Sequence, residues 1–284
     1  MTTRALRREA WPLLAPAAVL LAAIALGPML YVLWLSLRAE TVLRPSMFVG
    51  SANFVRLATD ARFWNALANT LYFAFLSVGL ELVLGLAFAL LLTRTRRARG
   101  AVYAMLLLPW AMPTVVSARL WEWMYNGQLG VFNYLLGARV NWLGEPTLAL
   151  HAAIAMDVWK STPFVALLLA AGLQAIPRHL YWAAAADGAD AWTAFRRITL
   201  PLLAPVILVI VVFRSIDALR VFDSVYVLTG GGPANGTETL SIYAYKILFQ
   251  TLDFGYGSAL SVAVLVITVA VTLAYAWLLR RGAA

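Results

Sequence analysis

Long, predominantly apolar runs alternate with short charged segments along this chain, and the alternation predicts its elements. Six runs stand out: Trp11 to Leu37, Ala66 to Thr93, Ala101 to Tyr125, Leu148 to Ile176, Leu200 to Leu228 and Gly257 to Leu279. Each exceeds the roughly 20 apolar residues a helix needs to cross a bilayer. The first is longer than the roughly 7–15 apolar residues of a signal peptide, so it reads as a retained span. The third is interrupted by Leu-Pro-Trp-Ala-Met-Pro at 108–113. Proline removes a backbone donor and kinks a helix, which a membrane protein tolerates where neighbours satisfy the freed carbonyls. The expected fold class is all-α: a polytopic membrane protein of six transmembrane helices in a single domain.

The connections differ in kind. Arg38 to Asn65 is mixed in charge, and Asn126 to Pro146 leaves room for a short interfacial helix. Arg178 to Thr199, RHLYWAAAADGADAWTAFRRIT, is neither span nor simple loop. Tyr181 to Ala186 are good helix formers that stop at Asp187-Gly188, where glycine tolerates the left-handed backbone of a helix end. Asp190 can cap a second helix, Ala191 to Ile198, with Pro201 setting the start of the fifth span. The expectation is helix, break, helix.

Composition agrees: 63% of the 284 residues are hydrophobic and 12% charged, against about a quarter charged in soluble domains. With no cysteine and only His151 and His179, no thiol chemistry and no metal site are expected. The net charge of +9 has a topological cause. If both termini lie on one side, that side holds Arg4, Arg7, Arg8, Arg94, Arg96, Arg97, Arg99, Arg178, Arg196, Arg197, Arg280 and Arg281, against Glu9, Asp187 and Asp190. The other ten basic and ten acidic residues balance. The positive-inside rule makes that side cytoplasmic, termini included, and accounts for its excess of positive charge without nucleic-acid binding.

Charged residues inside the spans are the candidate chemistry. Arg214, Asp217, Arg220 and Asp223 alternate in sign at i+3 steps, predicting one charged face on a continuous fifth helix. Asp157 and Lys160 repeat the spacing on the fourth span, with Trp159 between, and Glu81 is alone on the second, so it needs a partner. Two readings stand for Arg214 and Asp217, a polar stripe lining a solute path or an interhelical ion network; Arg220 and Asp223, nearer the loop, fit the network. Trp110, Trp121, Trp123, Tyr125, Trp142 and Tyr226 gather near predicted span ends, as in an interfacial aromatic belt. LTGGGPANGTET at 228–239 lacks the Gly-Lys-Ser/Thr of a phosphate cradle, so this chain is not expected to bind ATP.

The 178–201 stretch resembles the cytoplasmic "EAA" loop of importer-type ABC transporter membrane subunits, whose pattern runs E-A-A-x-x-D-G-A, a spacer, then F-x-x-I-x-L-P. Ala183, Ala184, Asp187, Gly188, Ala189, Phe195, Ile198, Leu200 and Pro201 match in register; Trp182 stands where the pattern has glutamate. FVGSANF at 48–54, GVFNYLLG at 130–137, DVWKSTPFVALLLAAGLQAIP at 157–177, Phe213 to Tyr245 and FGYGSALSV at 254–262 resemble the carbohydrate-uptake branch, most closely its trehalose/maltose type. The resemblance implies a non-catalytic permease subunit in a bacterial or archaeal cytoplasmic membrane. It implies as partners a second permease subunit, two ATP-binding subunits that hold ATP and Mg and receive the loop, and an external sugar-binding protein. It also implies a solute cavity between the two permease subunits; the candidate path residues, read from the chain's own charges and rings, are Arg214, Asp217, Arg220, Asp223, Tyr226, Asp157, Lys160 and Trp159.

Overall fold

The computed structural model describes residues 14–94 and 99–282. Trp11 to Leu13 and, of the basic residues that set the expected sidedness, Arg4, Arg7, Arg8, Arg96 and Arg97 lie outside the described residues. In chain order the elements are α1 (Leu14–Ser36), a hairpin of β1 (Arg38–Thr41) and β2 (Arg44–Phe48), α2 (Ala52–Thr59) and α3 (Ala61–Arg94). There follow α4 (Arg99–Ala111), α5 (Thr114–Met124), α6 (Val131–Leu136), α7 (Pro146–Ala175) and α8 (Arg178–Ala186). Last come α9 (Ala191–Leu219), α10 (Asp223–Thr229), α11 (Leu240–Tyr245) and α12 (Phe254–Gly282).

Among the described residues five helices are each long and apolar enough to cross a membrane, and α4 with α5, bent by 90°, brings the number to six where the pair counts as one span. The all-α expectation holds, with one short hairpin added. Two boundaries differ from expectation, and the expected proline kink in the third run is a full break. The second span begins at Ala61, five residues before Ala66, because Arg62, Asn65 and Asn69 find polar partners rather than solvent. The third is two helices with a right-angle break at its prolines. The fifth stops at Leu219, not Leu228: the Arg220 amide turns back onto the Asp217 carbonyl, and α10 is a separate helix.

The chain divides into two compact units. In the first, the described residues to Asp60 with Tyr243–Leu265, the hairpin pairs Arg38 with Phe48 and Ala39 with Met47. Asn53 Nδ2 donates to the carbonyls of Ser36 and Arg38, both at 2.8 Å, closing the end of α1. Arg56 pairs with Asp253 at 2.8 Å and lies over the Tyr256 ring, while Tyr243 and Tyr256 both donate to the Asp60 carboxylate.

The second unit, Ala61–Ile242 with residues from Val266, is built on the crossing of α3 and α7. Lipid supplies no hydrophobic drive between spans, so close approach of small residues holds them. The buried face of α7 is accordingly rich in alanine: Ala149, Ala152, Ala153, Ala166 and Ala170. Gly85 of α3 faces this row, where an added Cβ would lie 2.6 Å from Val165 Cγ1. One cluster packs Phe73 and Val78 against Trp121, Ile154, Leu219 and Val225; another joins Ala89, Val165, Leu169, Leu203 and Ile210.

Candidate functional site

Three helices converge on Arg214. Its Nε donates to Glu81 Oε2 at 2.6 Å and its Nη2 to Glu81 Oε1 at 2.7 Å, a two-pronged pair from α9 to α3. Nη2 also reaches Asp157 Oδ2 of α7 at 3.1 Å, and Nη1 donates to the Asp217 carboxylate one turn on. Glu81 is wholly buried, and the Arg214 side chain is 5% exposed. Forked guanidinium–carboxylate geometry is among the strongest hydrogen bonding a protein offers, and burial without it would cost several kcal/mol per charge. Glu81, expected to need a partner, has one.

The cluster sets three carboxylates against one guanidinium, and it has an open side: the Asp217 side chain is 62% exposed. A carboxylate on a span does not face hydrocarbon, so this face meets water or a polar partner. The expected stripe is therefore half assembled. Arg214, Asp217 and Asp157 are brought together. Arg220 ends α9, Asp223 starts α10, and Tyr226 stacks on Phe222 at 5.0 Å; none of these three joins the ion pairs of Arg214. The one-face expectation for all four charges is corrected, because α9 ends between Asp217 and Asp223.

Lys160 lies one turn from Asp157. Its Nζ donates to the Met112 carbonyl at 2.7 Å and more weakly to that of Trp110 at 3.4 Å, at the break between α4 and α5. Trp159 stands 5.6 Å from Trp121, ring centre to ring centre, within a group that includes Tyr125, Phe132 and Trp142. Trp142 Nε1 donates to Asn133 Oδ1 at 2.8 Å, fixing the α6 loop beneath those rings.

Sequence reasoning missed Arg62 and Glu238. Arg62 of α3 makes a forked pair with the buried Glu238 carboxylate, at 2.7 and 2.8 Å, inside the glycine-rich loop. Asn65 and Asn69 donate to the Asn235 carbonyl, and Thr70 Oγ1 accepts from the Leu240 amide. The available signal was the i+3, i+4 polar row Arg62, Asn65, Asn69 at the head of an apolar helix, with one acid in an otherwise uncharged loop.

The segment between α7 and α9 takes the expected helix, break, helix form. α8 ends at Asp187, and Gly188 has φ +79°, which only glycine adopts without strain. Asp190 caps α9 by accepting from the Thr193 amide at 3.0 Å, and hydrogen bonding from Thr193 holds its carboxyl below the ordinary aspartate range. Ala183, Ala184 and Ala189 flank the break, and Tyr181 and Thr199 share a hydrogen bond of 2.9 Å that ties α8 to α9. Trp182 and Trp192 are 70% and 65% exposed, and Phe195 stacks on Trp192. The second short helix does not end at Ile198. A wide turn over Phe195–Thr199, in which the Leu200 amide donates to the Phe195 carbonyl, carries it through Leu200 and Pro201 into the span. Pro201 lacks the amide that an α-helical bond to Arg197 would need, and the widened turn absorbs the defect.

Residues 81–282 match the family described as binding-protein-dependent transport system inner membrane component. The chain belongs to that family. It is a multi-pass membrane protein, and this inner membrane component is 47% identical over 253 residues to the trehalose/maltose transport system permease protein MalF of Thermococcus litoralis, covering 87% of this chain and 85% of the relative. It is 40% identical over 260 residues to the trehalose transport system permease protein SugA of Mycobacterium tuberculosis, covering 91% and 84%. Its fold matches a chain in the crystal structure of a bacterial ABC transporter involved in the import of the acidic polysaccharide alginate, at TM-score 0.85 and 25% identity, over 98% of each chain.

Proposed function

We propose that this chain is the non-catalytic, membrane-spanning permease subunit of an ATP-driven importer, and that its solute is a sugar, a disaccharide such as trehalose or maltose. Its partners on this reading are a second related permease subunit, two ATP-binding subunits and an external sugar-binding protein. ATP and Mg belong to the ATP-binding subunits. The excess of arginine beside 178–199 puts that segment and both termini on the cytoplasmic side.

The observation that carries the reading is the continuity of α9. One helix runs from the capped break at Asp190 to Arg214, about 35 Å at 1.5 Å per residue. An ATP-binding subunit that grips Ala183 to Phe195 by helix-in-groove docking would move the Arg214 end as the far end of a rod. Arg214 is joined to α3 and α7, so displacement at the docking end is felt where three spans meet. Asp217, on the open side of that junction, offers carboxylate acceptors to solute hydroxyls. The importer then switches access to a cavity between the two permease subunits as ATP binds and is hydrolysed.

The test is uptake of labelled trehalose and maltose by cells with and without the gene and by cells carrying Gly188→Val. A branched side chain at φ +79° strains the break through the backbone, since nothing lies within 4 Å of the Cβ position itself. Uptake is expected to be lost in both altered strains at native membrane abundance of the variant. Normal uptake by Gly188→Val removes the docking role. Unchanged uptake of both sugars in the deletion removes the disaccharide assignment, and the alginate relative shows that this architecture serves other saccharides.

A further inference from the structure

α7 grips the broken third span at three successive places. Phe164 stacks on Trp110 of α4, with ring centres 5.5 Å apart and planes within 14°. One turn along, the Lys160 ammonium holds the Trp110 and Met112 carbonyls. Next to it, Trp159 packs on Trp121 of α5. The two aromatic contacts fix the arms, and Lys160 stands at the corner between them.

The corner needs a cation. Pro113 has no amide to donate, and the 90° turn takes the α5 amides away from the last carbonyls of α4. Carbonyls without partners at membrane depth cost several kcal/mol each. The end of a helix is also the negative end of its dipole, which an ammonium suits. The other charges acting on Lys160 are Asp157, Asp217 and Arg214. Asp157 and Asp217 are both engaged by Arg214, so the ammonium is left to the carbonyls.

We propose that Lys160 is the positioning residue of the broken third span: it sets the angle between α4 and α5 and does not bind the solute. Through Asp157, one turn away on α7, the bend is tied to the Arg214 junction and so to α9. The transport arm of the test rests on the importer reading; the distance arm does not.

The chain has no cysteine, so spin labels can be placed singly at the exposed positions Met105 and Trp123, one on each arm. Distances are measured by pulsed electron resonance on the full-length protein in lipid, with the subunits that purify with it. Native protein and Lys160→Arg are expected to give the same narrow distribution. Lys160→Met is expected to shift and broaden it, since no donor remains at the corner. In uptake, Lys160→Met should lower the maximal rate tenfold or more and leave the half-saturating solute concentration within about twofold, with Lys160→Arg recovering most of the rate. A native distance distribution in Lys160→Met overturns the proposal whatever happens to uptake. A tenfold rise in half-saturating concentration at unchanged maximal rate makes Lys160 a solute ligand and overturns it as well. Lys160→Leu replaces the methionine variant if the latter does not accumulate, and a native distance in it is equally fatal.

Discussion

Replacing Arg214 by leucine should damage this protein far more than replacing Glu81 by leucine, although the two form one forked pair. Without Arg214, the wholly buried Glu81 carboxylate has no cation, and Asp157, with its side chain only 14% exposed, loses its guanidinium contact too. Removing one partner of a buried pair costs about 3–5 kcal/mol, roughly two to four powers of ten in the folding equilibrium. Without Glu81, Arg214 keeps the Asp157 and Asp217 carboxylates, so no buried charge is left without a counter-charge and the loss should be the smaller of the two. In the double variant the stranded Glu81 charge is gone, so the two losses should fail to add by about 0.5–3 kcal/mol. The assay is unfolding in mixed detergent micelles, with membrane abundance as the cellular counterpart. Equal losses in the two single variants, or a double variant equal to their sum, would refute the view that Arg214 compensates several carboxylates at once.

Gly85→Ala should destabilise by about 1–3 kcal/mol through overpacking against Val165 Cγ1, and Val165→Ala in the same chain should recover part of that, both read by unfolding midpoint. Asp217→Ala should lower sugar uptake several-fold while leaving co-purification of the ATP-binding subunit intact; if both fall together, Asp217 is structural. The Asp190 cap should depend on pH with a definite sign. Its carboxyl is depressed in the folded state, so its contribution is complete above the ordinary aspartate value of about 3.9 and is lost as pH falls through the lower folded value. Amide exchange at Thr193 should therefore stay protected at pH 5 and lose the cap's protection only in stronger acid, and early loss of protection at pH 5 would contradict the cap.

The spans were legible because bilayer thickness imposes a length that hydropathy alone can find, and Gly188 and Asp190 were legible because helix ends need particular residues. What escaped depends on partners distant in sequence. Arg62 read as part of a loop since Glu238, which satisfies it, lies 176 residues away, and the second span was begun too late for the same reason. Periodicity placed Arg214, Asp217, Arg220 and Asp223 on one face, but it carries no information about where α9 turns back at Asp217, and that turn divides the set. Lys160 paired with Asp157 on paper by i+3 spacing; the prolines of the third span, visible in the sequence, expose the carbonyls that take its ammonium instead.

The most direct test of the importer reading is reconstitution of this chain with its co-purifying subunits in vesicles, with ATP enclosed, binding protein outside and labelled trehalose or maltose supplied. Accumulation that requires both ATP and the binding protein, and that persists when an ionophore collapses ion gradients, is the result predicted. Accumulation without ATP, abolished by the ionophore, would make the protein an ion-coupled transporter and contradict the account.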